Sequence, residues 1–287
     1  MYAFGILSLL LYSGLCFNLH ATQPIVNNLV IFNKKNLAYD TINHNKLLDE
    51  IIGDKKIISI SPGGLKGFYL MGILDFVKQN YNLDNYLFSG ASAGSWVSLF
   101  MSYKNSDNAF IEKIIKSEKI KFGKLKQIQA NIKNEILANF QSEDFDLDKL
   151  FIGVTTFNLF GEKTKIYSNF VDLTDAINCC IASSHIPLVT NGLIGNYRGQ
   201  LCLDGGLSSF PYIQNQKPSY HIHLNLFDEK HPDYQQFIQP VQKQNFFKIL
   251  KILWDLSFAP NKSNEELFYD GYSDALANKL FFDKYFL

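Results

Sequence analysis

Tyr86-Leu87-Phe88-Ser89-Gly90-Ala91-Ser92-Ala93-Gly94-Ser95-Trp96-Val97 is the stretch on which the fold turns. It opens as a short apolar run of the kind that makes a buried strand and passes through a Gly-x-Ser-x-Gly turn. Trp96, Val97, Leu99 and Phe100 then take up helical spacing. Where a strand reverses sharply into a helix there is no room for side chains beside the turn, which suits Gly90 and Gly94, and the residue at the tip is held in a strained conformation. That residue is Ser92. Its hydroxyl would lie at a helix N-terminus, where unpaired amides and the helix dipole favour developing negative charge, so Ser92 is the candidate nucleophile.

A second unit of the same kind lies just upstream. Ile57-Ile58-Ser59-Ile60-Ser61 reads as a buried strand, Pro62-Gly63-Gly64-Leu65-Lys66-Gly67 as a glycine-rich loop, and Leu70, Met71, Ile73, Leu74 and Val77 as the apolar face of a helix. Strand, helix and strand together predict a parallel βαβ unit with both loops at the carboxyl edge of the sheet, where sites form. Downstream, residues 105–150 read as lysine-rich helix and polar loop covering the sheet. Residues 151–157 and 165–168 read as paired strands with Phe160-Gly161-Glu162-Lys163 as their turn, and residues 172–181 as a helix capped by Asp172 or Thr174. Strands are expected at 29–32, 200–203 and 221–226, and helices at 244–256 and 263–284. With no repeat or low-complexity linker, the chain reads as one α/β domain from residue 22 to 287.

The bulk properties narrow the function classes. The 287 residues carry 27 basic and 27 acidic side chains and are 47% hydrophobic, enough for a large core and without the charge excess that nucleic acid would attract. The lysines at 113, 116, 119, 121, 124 and 126 have the spacing of a solvated helix face. Cys16, Cys179, Cys180 and Cys202 show no CxxC spacing and the acidic residues no calcium-loop spacing, so packed thiols are expected and no metal or other cofactor is implied. Residues 3–17 are almost wholly apolar, about the length of a signal-peptide core, although no basic residue precedes them. Residues 1–21 are therefore read as a secretory or anchoring segment, against the alternatives of a buried helix and a cytoplasmic protein that works at the membrane periphery.

Acyl transfer by a serine needs a base for the hydroxyl proton and donors for the oxyanion. Gly63 and Gly64 can turn backbone amides towards a neighbouring loop, though the same property serves a phosphate site without catalysis. Asp204 ends the short strand 200–203 before Gly205 and Gly206, where a carboxylate can reach over the sheet edge; the same three residues also suit a plain turn.

With these elements in hand, the chain resembles the patatin-like phospholipases, serine lipid acyl hydrolases with a Ser-Asp dyad on a three-layer α/β/α fold with a mainly parallel sheet. The resemblance rests on the glycine-rich loop 61–67, Gly90-Ala91-Ser92-Ala93-Gly94 and Asp204-Gly205-Gly206 in family order, with Ala182-Ser183-Ser184 and Pro187 before the aspartate. It runs through residues 57–212. It implies Ser92 as nucleophile, Asp204 as its base, and an oxyanion hole from Gly63, Gly64, Leu65 and Gly67. The substrate would be a phospholipid or other acyl lipid at a membrane surface, with Lys66 placed to meet an anionic head group. The chain departs from the family at Pro62, which brings no N–H to the loop, and after Asp204, where Leu207-Ser208-Ser209-Phe210 reaches Pro211 a residue early.

Two other readings stand beside this one. A Ser-Asp-His hydrolase would use His221 or His223, which satisfy the chain order but sit two apart in an alternating strand pattern. His185 lies in a loop near the aspartate and reads as a hydrogen-bonding surface histidine, and His20, His44 and His231 have no partner motif. The other reading is a lipid- or phosphate-binding module without catalysis; residues 63–67 carry no intact nucleotide-binding motif. An apolar surface for lipid is expected from the C-terminal cluster 281–287, while Phe246-Phe247 read as core.

Overall fold

The computed structural model describes residues 52–105, 107–158, 161–208, 211–213, 221–224 and 262–287. The apolar segment 1–21, the strand expected at 29–32, the helix expected at 244–256, His20, His44, His231 and Cys16 lie outside the described residues.

The βαβ unit forms as its sequence pattern dictates. β1 (Lys56–Ile60) leads through the glycine-rich loop to α1 (Gly67–Asn80), and β2 (Tyr86–Ala91) leads through Ser92 to α2 (Ala93–Ser102). β1 and β2 are parallel, with Ile57 opposite Leu87 and Ile58 opposite Phe88. The period of two sorts the strands onto two faces. Ile58, Phe88 and Leu150 join the main core with α1 and α2, while Ile57, Leu87 and Phe151 join a smaller cluster with Ile52, Ile166 and Ile213.

Beyond α2 the chain makes a π-helical turn (Ile111–Ile115), α3 (Glu118–Lys121) and α4 (Leu125–Asn139). It then enters β3 (Leu150–Asn158) and β4 (Gly161–Tyr167), crosses α5 (Leu173–Ser183), and returns as β5 (Gly195–Tyr197), β6 (Gln200–Leu203) and β7 (His221–Leu224). The sheet order is β5-β6-β3-β2-β1-β7, with β4 also on β3. Strands β7, β1, β2 and β3 run parallel; β4, β5 and β6 are antiparallel to their neighbours. The result is a mixed α/β fold whose central strands are parallel and flanked by helices, as the motifs predict. The cap of α5 is Asp172, whose carboxylate accepts from the Asp175 amide at 2.8 Å. Cys179, Cys180 and Cys202 are buried free thiols.

Two expectations change. The turn assigned to residues 160–163 is shorter, because Gly161, Glu162 and Lys163 already pair with Asn158, Phe157 and Thr156. The C-terminal cluster 281–287 is packed in part: Phe282 is buried and Phe281 and Phe286 are half-buried against the core, while Leu287 stays exposed. The chain ends in α6 (Asn264–Ala277) and α7 (Lys279–Phe286), where Phe282 is buried against Phe76 and Phe286 stacks on Tyr86 and Tyr81. Tyr86 begins β2 and Ser92 follows its other end, so the tail sits at the far end of the strand from the elbow.

Helices α1 and α6 cross at backbone contact. A Cβ at Gly72 would fall 1.9 Å from the Phe268 carbonyl oxygen, and one at Gly271 would fall 2.0 Å from that of Tyr69. Gly72→Ala or Gly271→Ala should each force the helices apart and destabilise the fold by about 1–3 kcal/mol. Denaturant unfolding measures this, and an unchanged midpoint would refute the close crossing.

Candidate active site

The elbow is built by close approach. A Cβ on Gly90 would stand 2.1 Å from the Gly94 carbonyl oxygen, and one on Gly94 would stand 2.1 Å from that of Ile60, so neither turn residue can carry a side chain. Between them Ser92 is held at φ 53°, ψ −125°, a left-handed conformation that costs an L-residue energy and persists only where its surroundings impose it. Those surroundings include Ser183. Its Oγ accepts the Ser92 amide at 2.8 Å and donates to the Gly153 carbonyl at 2.6 Å, tying the elbow to β3. The Ser92 carbonyl accepts from Ser95 at both its amide and its hydroxyl, which starts α2.

The register of β3 brings Asp204 to the elbow. One edge of β3 pairs with β4 from Ile152 to Asn158. Its other edge pairs with β2 as far as Gly153 opposite Ala91, then with β6 from Thr155 opposite Leu203. The two strands therefore meet end to end, and the residues that follow them, Ser92 and Asp204, come into contact. Ser92 Oγ donates to Asp204 Oδ2 at 2.6 Å. Asp204 Oδ1 accepts the Gly206 amide at 2.7 Å. The Asp204 main chain is held on both sides, its carbonyl by the Thr155 hydroxyl at 2.9 Å and its amide by the His185 carbonyl at 2.8 Å.

Burial dominates the electrostatics. Asp204 has no exposed surface, and desolvation pushes its carboxyl up to about 7 against the two hydrogen bonds that favour the charged form. Among the described residues no cation pairs with it. It is a carboxyl group whose proton affinity is close to neutral pH, in direct contact with a hydroxyl.

Pro62 proves to be a buttress. A Cβ on Gly206 would fall 2.7 Å from Pro62 Cγ, so the proline ring lies against the Asp204-Gly205-Gly206 turn. Beyond it Gly64 has φ 53°, and residues 64–66 make a single 3₁₀ turn in which the Lys66 amide bonds the Gly63 carbonyl at 3.0 Å. Among the described residues no protein acceptor takes the Gly63, Gly64 or Leu65 amide. Gly67 departs from its expected place: its amide already donates to the carbonyls of Gly64 and Leu65, and the residue serves as a contact for Ala93. Lys66 is exposed.

Gly64, Leu65 and Ser92 line an apolar cleft of about 630 Å³, its open mouth included. Met71 of α1, Trp96 of α2, Phe110, and Ile128 and Ile136 of α4 line the rest. Gln129, buried, donates to Ser184 Oγ at 2.8 Å and to the Ser184 carbonyl at 3.1 Å, and Trp96 Nε1 donates to the same hydroxyl at 3.1 Å. Sequence reading assigned residues 105–150 only a covering role. Its signal was there in the apolar positions 110, 114, 125, 128, 132 and 136, between the lysines. Thr155 and Ser183 also escaped assignment, since nothing local marks a hydroxyl that bonds a residue tens of positions away.

His221 and His223 lie on β7, opposite Ile57 and Ser59 of β1, with β1, β2 and β3 between them and β6. The His185 side chain, expected at the surface, is buried and its Nε2 has no partner among the described residues; burial pulls its pKa below the usual histidine value.

The burial of Asp204 has a sign for stability. Its folded pKa exceeds the unfolded one, so between about pH 4 and 7 the folded state binds more proton and stability falls as pH rises. Asp204→Asn can keep both hydrogen bonds, with Oδ1 accepting from Gly206 and Nδ2 donating to Ser92. The variant should therefore melt above the unmodified protein at pH 8, by a margin that shrinks towards pH 4. Thermal unfolding across that range checks it, and a margin independent of pH would refute it.

Comparison with known proteins follows the same lines. The family model described as patatin-like phospholipase matches residues 58–214, which hold the glycine-rich loop, the elbow and the aspartate turn. A search of curated proteins finds no match. Among solved structures, the crystal structure of VipD from Legionella pneumophila aligns over 73% of this chain and 55% of its own, with 13% identity and a TM-score of 0.33. This chain thus spans about half the length of that protein. With the family model covering more than half of its residues, the chain belongs to the patatin-like phospholipase family, a family of lipid acyl hydrolases.

Proposed function

We propose that the protein is a serine carboxylic-ester hydrolase that cleaves fatty-acyl esters of phospholipids or related lipids through a Ser92-Asp204 dyad. The observation that carries this reading is the direct 2.6 Å contact between the buried Asp204 carboxylate and Ser92 Oγ, with Ser92 lining an apolar cleft.

The acyl chain lies in the cleft, where removal of apolar surface from water binds it. Ser92 Oγ attacks the ester carbonyl as Asp204 takes the hydroxyl proton. The carbonyl oxygen becomes an oxyanion facing the Gly63, Gly64 and Leu65 amides, with the N-terminus of α2 beneath. As the tetrahedral species collapses, Asp204 returns the proton to the departing alcohol and leaves Ser92 acylated. Asp204, again a carboxylate, takes a proton from water as the water attacks the acyl carbon; fatty acid departs and the proton returns to Ser92. A carboxyl near 7 suits both halves, because it accepts and gives up a proton at similar cost.

The rival triad has less support, because it requires an imidazole between serine and aspartate, whereas here the two touch. A lipid-binding module without catalysis would not need a base against the hydroxyl. A covalent serine probe separates enzyme from module: Ser92 should be labelled under conditions that label a control lipase.

Hydrolysis of a short soluble acyl ester by purified protein is the central test. Ser92→Ala should abolish turnover, and Asp204→Asn should lower it by about 10²-fold or more, the usual cost of a general base. His185→Ala, His221→Ala and His223→Ala should each stay within about tenfold. Because the dyad works only as the carboxylate, turnover should rise with pH to a plateau, half-maximal at about 7. Full activity in Asp204→Asn would sink the dyad, and loss in His221→Ala or His223→Ala with the fold intact would install the triad.

A further inference from the structure

Leu125 lines the cleft that the proposed reading fills with an acyl chain, and its neighbour Lys126 reaches a turn whose exposed surface the fold does not use. After α5 the chain makes a closed turn: the Leu188 amide donates to the Gly192 carbonyl at 2.8 Å, and the buried Thr190 hydroxyl accepts the Ile186 amide at 3.0 Å. Held in this way, the turn points leucines outward. Leu188 is 77% exposed and Leu193 44% exposed. Leu188 also has φ 65°, a conformation in which a bulky residue is uncommon. Neither strain nor exposure helps the monomer, since a polar residue such as asparagine would relieve both.

The neighbouring surface is basic. Lys126 Nζ approaches Asn191 Oδ1 in the same turn at 3.5 Å, so the start of α4 lies against it. Leu125 and Leu65 line the cleft, and the residues beside them in the chain, Lys124, Lys126 and Lys66, are exposed. Other lysines of this region are neutralised: Lys116 pairs with Glu112 at 2.7 Å, Lys119 with Glu135 at 2.6 Å and Lys121 with Glu118 at 3.1 Å. Among the described residues, Lys66, Lys124 and Lys126 have no carboxylate partner. Phe122, 63% exposed, precedes them.

We propose that the rim formed by Leu188 and Leu193 on the turn after α5, together with Phe122, Lys124 and Lys126, docks the protein on a membrane surface carrying anionic lipid, with the cleft mouth facing the bilayer. The leucines and phenylalanine enter the acyl boundary, and the lysines meet the negative head groups. The proposal rests on the cleft being the acyl site, and it moves the lipid-facing surface from the C-terminal cluster to the opposite end of β2.

The test uses the Ser92→Ala full chain, so that hydrolysis cannot alter the vesicles. It should co-sediment with phosphatidylcholine vesicles containing phosphatidylglycerol, less with phosphatidylcholine alone, and less as salt rises. In that chain, Leu188→Asn with Leu193→Ser should weaken partition about tenfold or more. Lys124→Glu with Lys126→Glu should also weaken it about tenfold or more, and only on the anionic vesicles. Phe122→Ser, away from the turn, gives an independent third variant, and thermal unfolding confirms that each variant folds. With Ser92 restored, the leucine variant should hydrolyse a short soluble ester at the unmodified rate and vesicle lipid more slowly. Unchanged vesicle binding in all three variants overturns the proposal, as does a dimer that the leucine variant dissociates without any vesicle binding. Absence of soluble-ester hydrolysis in the unmodified protein would instead defeat the hydrolase reading, whatever the vesicles show.

Discussion

Two strands compete for the same edge of β3, and the rest of the site depends on how they share it. β2 pairs with the first residues of β3 and stops at Ala91; β6 arrives from the opposite direction and stops at Leu203. Because β4 holds the other edge from Ile152 to Asn158, β2 and β6 share the edge that is left. The residues that end them are thereby forced together, and the Ser92-Asp204 hydrogen bond forms where two lines of backbone hydrogen bonds run out. Parallel and antiparallel pairing are both needed: two parallel strands would place their C-terminal residues side by side, not facing.

That junction carries a carboxylate without exposed surface, which is costly unless it is hydrogen-bonded. Two donors reach it, from Ser92 and Gly206, and no cation among the described residues does. A lysine or arginine beside it would hold the carboxyl low and make it a poor base. Instead the fold stabilises the position of Asp204 through its main chain, using Thr155 and the His185 carbonyl, and leaves its side chain basic. Ser183 does the same for the elbow. Rigidity thus comes from buried hydroxyls and backbone groups, which fix geometry without adding charge.

The cleft shows how one segment serves two environments. Residues 110–136 turn lysines to solvent and Phe110, Ile114, Ile128 and Ile136 inward, so the same helical turns that keep the surface hydrated supply the apolar wall next to Ser92. At the opposite end of β2, α7 covers Tyr81 and Tyr86 with Phe286. The aromatic residues at the C-terminus therefore stabilise the sheet at the end away from the site.

Much was legible from sequence alone, and for local reasons. Short apolar runs at 57–60 and 86–88, the glycines at 90 and 94, and the Asp-Gly-Gly at 204–206 each encode a conformation within a few residues, so the strands, the elbow and the aspartate turn were readable one by one. Their order pointed to the family. The amino-acid sequence by itself determined these elements and the chemistry they can carry. Only the tertiary structure decided which carboxylate meets which hydroxyl, that Gly67 has no amide to offer, that Pro62 supports the aspartate turn, and that Phe282 is core with Phe286 packed on Tyr86. These depend on pairing register and helix contact between residues far apart in the chain, such as Ser92 with Asp204 and Tyr86 with Phe286, and no local pattern encodes a partner 112 or 200 positions away.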